Sequence, residues 1–183
     1  MHFKKIIGKK VYLSPRSLDD AEKYTEWLNN YEIVKYIEQY TKIINVESER
    51  EYLNSTKTNS YNFAIVDNNT DELIGCIGLM DIDYINSTAE LGIFIGDEDH
   101  LSKGYGSEAI TLLLNYGFNF LNLNNIMLKV FDFNKRAQKA YKKCGFKEFG
   151  VWKSSHYANG KYHDVIFMNI MRNDFNEENE LYK

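Results

Sequence analysis

Apolar positions along the chain change their spacing several times, and each change marks an element. "KKVYLSP" alternates polar and apolar until it meets the single proline, which predicts a first strand ending at Ser14. Ser17, with Asp20 three residues on, has the form of a capping box for a helix carrying Ala21, Tyr24, Trp27 and Leu28 on one face. Asn45 is placed to cap a short helix through "VESEREYL". The polar run "STKTNS" reads as a loop. "YNFAIVD", "ELIGCIGLMDID" and "TAELGIFIG" read as three strands separated by "NNTD" and "YINS", and such strands pair as an antiparallel meander.

After Gly106 the period lengthens. Ile110, Leu113, Leu114, Gly117 and Leu121 recur at helical spacing and predict an amphipathic helix of about four turns. "NIMLKVF" is the next strand. Ala137, Ala140, Tyr141 and Cys144 then share a helical face, with Gly145 where a left-handed cap residue belongs. "FKEFGVWKSSHYANGKYHDVIFMNIM" holds two strands joined across Asn-Gly, a strong hairpin signal. The order implies an α+β sheet with helices packed on it, in one domain over 1–183, with the acidic end "NDFNEENELYK" (173–183) as a loose tail.

Composition narrows the class. A chain of 183 residues buries roughly 70% of its unfolded surface without staples, and 14 Tyr with 11 Phe imply an aromatic-rich core. A net charge of -4 argues against a nucleic-acid partner and favours a neutral or cationic small substrate. Cys76 and Cys144 lie in apolar patterns without metal-ligand spacing, which points to reduced thiols, a cytoplasmic location and no metal site. The longest apolar segment, "ITLLLNYGFNFLNL", is broken by Asn115, Asn119 and Asn122, so no membrane span is expected; the apolar part of "MHFKKIIGKK" is too short for a secretory signal.

The candidate chemistry starts at "HLSKGYGSEA", residues 100–109, where two glycines one residue apart precede the long helix. Glycine there serves either as turn punctuation or to let an anion approach the N–H groups of a helix start. "ELGIFIG" leads into "LSKGYGSEAI", and the second helix carries "NKRAQKAYKKCGF", Asn134 to Phe146. Together these resemble the two signatures of the GNAT superfamily of N-acetyltransferases: Gln/Arg-x-x-Gly-x-Gly/Ala after a strand, and Asn-x-x-Ala-x-x-x-Tyr-x-Lys-x-Gly-Phe on a helix. "IGDEDHLSKGYGSEA" and "YANGKYHDVIFM" are most similar to the branch containing ribosomal-protein N-terminal acetyltransferases and spermidine acetyltransferases. Leu101 departs from the usual first motif residue, and Ser102 stands where Gly is common; in a loop that binds through main chain, such changes tune affinity.

The resemblance implies a mixed, mostly antiparallel sheet of about seven strands, the fourth and fifth splayed around the cofactor, acetyl-CoA. Its pyrophosphate is expected on the N–H groups of Leu101, Ser102, Lys103, Gly104, Tyr105, Gly106 and Ser107. Its pantetheine arm is expected to pair with the strand at Phe94, Ile95 and Gly96, where a backbone N–H would also steady a developing oxyanion. Asn134 is expected to hydrogen-bond the cofactor or to cap its helix.

An acceptor ammonium of pKa ~10.4 costs roughly 4 to 5 kcal/mol to deprotonate at pH 7. Glu90 is the first candidate base, ahead of Asp81, Asp83 and His163. Tyr141, the motif tyrosine, is expected to protonate the departing thiolate, a transfer uphill by about 2 kcal/mol between ordinary pKa values; the same position also suits a core residue. The acceptor is expected to be a small polyamine or other small amine. The alternatives are the N-terminal amine of a ribosomal or other protein, or a non-catalytic acyl-CoA-binding module. The acids of "DEDH", "ESERE" and Glu38 suit a polyamine or a solvated surface, and Trp27, Tyr31, Tyr36 and Tyr40 suit a cleft or a core. Neither nucleic acid nor membrane is expected as a partner, and a homo-oligomer is left open.

Overall fold

The computed structural model describes residues 1–55 and 58–175. Among the described residues, eight strands form one sheet: β1 (Ile6–Ile7), β2 (Val11–Pro15), β3 (Tyr61–Asp67), β4 (Leu73–Asp83), β5 (Thr88–Ile95), β6 (Asn125–Phe131), β7 (Lys147–Ala158) and β8 (Lys161–Met171). Their spatial order is β1-β2-β3-β4-β5-β6-β8-β7. Every neighbouring pair is antiparallel except β5 and β6. The strand beyond the expected seven is β1, whose two residues pair Ile6 with Leu13 and Ile7 with Tyr12; two residues cannot display an alternating pattern.

The helices are α1 (Ala21–Leu28), α2 (Tyr31–Val34), α3 (Val46–Asn54), α4 (Tyr105–Asn115) and α5 (Lys135–Lys143). The capping box at Ser17 does not form. A 3-10 turn, Leu18–Asp20, precedes α1, so the Ser17 hydroxyl reaches only Asp19 N, while Asp20 binds the His2 ring at 2.9 Å. Asn45 does cap α3, accepting from Ser48 N at 2.8 Å while Ser48 Oγ accepts from Asn45 N. The four-residue helix α2 is too short to leave a periodic signal; Asn30 caps it. The hairpin turns at Asn159 and Gly160, both with positive φ, as a two-residue primed turn requires.

Strand alternation divides the two faces. Ile77 and Leu79 of β4 and Leu91 of β5 meet Ile110, Leu113 and Leu114 of α4 in the larger core. Cys76 and Phe94, one position out of phase, meet Tyr24, Trp27 and Ile33 from the first two helices. Both cysteines are free and half-buried. Among the described residues, no helix is long and apolar enough to cross a membrane. Of the expected loop "STKTNS" residues 56 and 57, and of the expected tail residues 176–183, lie outside the described residues.

Candidate active site

The parallel ladder between β5 and β6 is short: Thr88, Ala89 and Glu90 pair with Asn125, Ile126 and Met127, and beyond Glu90 the strands part. On its other side β5 stays paired to β4 as far as Ile95. A wedge therefore opens at the sheet centre, with strand main chain along one wall.

The loop before α4 borders that wedge. Gly104 caps the helix with φ 91°, and Ser102 also has a positive φ, 60°. Left-handed residues in such loops build concave arrays of N–H groups suited to anions. The first bond of the helix runs from Glu108 N to Gly104 O at 3.0 Å; among the described residues nothing accepts from the main-chain N–H groups of residues 102–107. Gly104 is required for its backbone rather than for space. A Cβ there would meet only Lys10 Nζ at 3.5 Å, but φ 91° strains any L side chain.

The loop is braced from behind. Lys10 Nζ donates to Lys103 O at 2.7 Å, and Glu108 Oε1 accepts from Lys10 N at 2.7 Å, tying α4 to the start of β2. His100 lies between two carboxylates, with Nε2 3.2 Å from Asp67 and Nδ1 3.0 Å from Asp97. The Tyr105 hydroxyl also bonds Asp67. Burial pushes the Asp67 carboxyl up, yet hydrogen bonds from Asn69 N, Tyr105, Thr70 N and His100 outweigh it and hold the group below the ordinary range.

Leu101, Ser102, Gly104, Gly106 and Ser107 line a cavity of about 500 Å³ together with Phe94 and Ile95. Lys35, Arg136, Lys139 and Lys143 also line it, against Glu32 and Glu98, so its wall carries an excess of cations. The residues fit coenzyme A: free N–H donors and a basic wall for phosphates, and unpaired strand backbone for an amide-bearing arm.

A second cavity, of about 680 Å³, lies against the α1–α3 face of the sheet. Gly78 and Gly92, opposed in register across β4 and β5, also line it and make room for Asn62 and Met80, since a Cβ would lie 2.3 Å from Asn62 Oδ1 at Gly78 and 2.7 Å from Met80 Cε at Gly92. Both cavities are lined by Tyr36, Ile37, Ile93, Phe94, Asn134 and Tyr141, so they meet at one seam. Tyr141 is buried there, its ring 6.0 Å from Phe146, and burial lifts its hydroxyl to about 12, with the Cys144 thiol adding to the shift. Asn134 Oδ1 accepts from Ala137 N at 3.1 Å as the cap of α5, which leaves its amide NH2 group without a partner among the described residues.

Glu90 lines the second cavity, and its Oε2 accepts from Lys129 Nζ at 2.9 Å. That hydrogen bond, opposed by burial, holds the Lys129 ammonium above its ordinary pKa. Glu38 and Lys42 also line this cavity. Within "ESERE", Glu47 and Glu51 are exposed while Glu49 is 4% exposed and turned to the cavity wall beside Arg16, Tyr24 and Cys76.

Other expected residues lie elsewhere. Asp81 is exposed in an irregular stretch of β4, and Asp83 is spent on the following turn, accepting from Ile85 N, Asn86 N and Asn86 Nδ2, bonds that hold it below the ordinary range. His163 pairs with Asp132 at 3.3 Å on β8, and neither lines a cavity described above. Gly96 is explained by packing, because a Cβ there would lie 2.1 Å from the Trp27 ring, itself core. Lys103 and Tyr105 brace the loop through the contacts above. Tyr40 donates to Tyr157 O and packs on His156, and Tyr31 is exposed; of the four aromatics only Tyr36 reaches the cavities.

Sequence reading gave no role to His100, although it opens the quoted loop, and missed Asp67 and Lys10, which come from distant segments with no local signal. It also passed over Glu49 individually, although a signal exists: with Val46 and Leu53 it falls on the inward stripe of α3, where a charge is out of place.

The profile of the acetyltransferase (GNAT) domain family matches residues 10–147. The uncharacterized N-acetyltransferase p20 of Bacillus licheniformis is 30% identical over 171 residues, spanning 91% of this chain and 96% of that protein. Spermidine N(1)-acetyltransferase of Vibrio cholerae is 34% identical over 143 residues, 78% of this chain and 75% of that one. The crystal structure of spermidine N-acetyltransferase from Vibrio cholerae in complex with CoA and spermine aligns with a TM-score of 0.82 at 29% identity, covering 90% of this chain and 97% of that one.

Proposed function

The chain belongs to the acetyltransferase (GNAT) family and is an acetyl-CoA-dependent N-acetyltransferase; on that premise we propose that it acetylates a primary amine of a small polyamine or similar small amine by direct attack in a ternary complex. The observation that carries this reading is the junction of two cavities at Tyr141, one bordered by free N–H groups and an excess of cations, the other by Glu38, Glu49 and Glu90 together with Arg16, Lys42 and Lys129. A volume of about 680 Å³ suits a small molecule. The spermidine acetyltransferases among the relatives support the same acceptor class.

Bound acetyl-CoA supplies an activated acyl group, whose carbonyl carbon the amine nitrogen attacks as the C–S bond breaks. Residues 102–107 hold the diphosphate through main-chain N–H groups, and β5 around Phe94 aligns the arm. The acceptor ammonium first gives one proton to a base, and we assign that role to Glu90 directly or through water. Lys129 occupies Oε2 of Glu90, which leaves Oε1 for the amine. Tyr141 delivers its phenolic proton to the departing sulfur and is recharged from the proton shed by nitrogen. From about 12 to a thiol at ~8.5 the transfer is uphill by roughly 5 kcal/mol, a gap narrowed because the thiolate leaves into the same desolvated seam.

Thiol release from acetyl-CoA, measured against spermine, spermidine, an aminoglycoside and a peptide beginning with Ser or Ala, tests this reading. Turnover concentrated on the polyamines is the expected result. Turnover confined to the peptide would move the assignment to N-terminal acetylation.

A further inference from the structure

The second cavity contains two buried polar groups for which the fold has no use. The Glu49 side chain is 4% exposed and has neither a hydrogen bond nor an ion pair among the described residues. The Tyr24 hydroxyl, on a residue 2% exposed, is buried without any hydrogen-bond partner. Both line the same cavity. Arg16 lines it too, but its guanidinium lies over the Tyr52 ring, 5.1 Å from the centroid, and forms no ion pair with Glu49.

Leaving the enclosed Tyr24 hydroxyl unpaired in a folded chain is costly, and buried polar atoms are nearly always satisfied. Burial pushes the Glu49 carboxyl up, and Arg16 only partly restrains it. The neighbouring Cys76 thiol and Tyr24 hydroxyl are pushed up by burial as well and stay neutral, so Glu49 is the one carboxyl group in that part of the wall. A carboxylate and an enclosed phenol oxygen, on residues that line one cavity, are two acceptors, and an alkylammonium carries three donors and one positive charge. A carboxylic acid or phosphate would instead meet Glu49 as a like charge.

We infer that Glu49 and the Tyr24 hydroxyl form a subsite for a second, non-reacting ammonium group of the acceptor, so that the site selects diamines and polyamines over monoamines. The reacting amine lies at the Tyr141 seam, while the far ammonium lies against α1 and α3. This rests on the proposed function for what happens at the seam; the cation subsite itself is tested by binding alone.

The experiment titrates the CoA-bound protein calorimetrically with 1,4-diaminobutane, spermidine and n-butylamine, for the wild type, Glu49→Gln and Tyr24→Phe. The wild type is expected to bind 1,4-diaminobutane about tenfold or more tightly than n-butylamine. Glu49→Gln is expected to remove most of that preference while leaving n-butylamine within about twofold. Tyr24→Phe should remove a smaller part. Thermal melts of the same variants separate lost binding from lost folding. A wild type that does not prefer the diamine, or a folded Glu49→Gln that keeps the preference, overturns the inference. If diamine binding depends on Glu49 but thiol release shows no turnover, the subsite stands and the proposed function falls. If turnover occurs with no dependence of diamine binding on Glu49, the outcome is the reverse.

Discussion

The two cavities that meet at Tyr141 are made of different material. The side proposed for the cofactor is chiefly main chain: a left-handed glycine, free N–H groups at the start of α4, and a strand edge released where β5 and β6 part. Its specificity comes from backbone conformation, and its side chains, such as His100, Asp67 and Lys10, act mostly behind the loop. The side proposed for the acceptor is walled by individual charges from separate segments: Arg16, Glu38, Lys42, Glu49, Glu90 and Lys129. A diphosphate is common to every reaction with coenzyme A, so one backbone solution serves; an acceptor is recognised by point charges that change one residue at a time.

The seam gives the largest expected effect. Tyr141→Phe should lower kcat about 100-fold, with acetyl-CoA affinity within about twofold, because the proposed proton donor is lost while the ring that lines the cavity is kept; kinetics under saturating acetyl-CoA check this. The wild-type profile should show no alkaline loss of the donor until well past pH ~10, since burial raises the phenol to about 12 and it is protonated below that value.

On the cofactor side, Gly104→Val should weaken acetyl-CoA binding about tenfold or more, since φ 91° carries a strain of about 1–3 kcal/mol for a side chain. A fluorescence or calorimetric titration reads this, and full affinity in a folded variant would show that backbone conformation is not what makes the site. Ser102→Gly sharpens the contrast in the opposite direction. At φ 60° the glycine should relieve strain and raise stability by about 0.5 kcal/mol in chemical denaturation, with acetyl-CoA affinity kept.

The smallest change is expected on the acceptor side. The folded-state pKa of Glu49 lies above its unfolded value, so its stabilising contribution is complete below the unfolded pKa and is lost as pH rises through the folded one. Glu49→Gln should therefore melt above the wild type at pH 7.5, and the gap should close as pH falls below the ordinary carboxylate range. A variant melting below the wild type at neutral pH would mean that Glu49 supports the fold.

What the sequence made legible follows the same division. The meander, the two motif helices and the Asn-Gly turn were readable because each rests on local periodicity or on a residue with a special φ, as at Gly104, Gly145 and Gly160. The two-residue β1 and four-residue α2 are shorter than any period. The insertion of β8 between β6 and β7 is a matter of long-range pairing with no local mark. The acids fared worst. Glu38, Glu47, Glu49, Glu51, Asp81 and Asp83 look alike in a string, and only folding separates a turn-former such as Asp83 from an unpaired, buried Glu49.

The central claim is that free peptide N–H groups at residues 102–107 hold the diphosphate of the cofactor. Two-dimensional amide spectra of the labelled protein, titrated with coenzyme A and separately with pantetheine, which lacks the diphosphate, test it most directly. Large shifts of the 102–107 amides with coenzyme A, absent with pantetheine, are predicted. Amides in that loop that stay unmoved at saturating coenzyme A, or that respond equally to pantetheine, would contradict it.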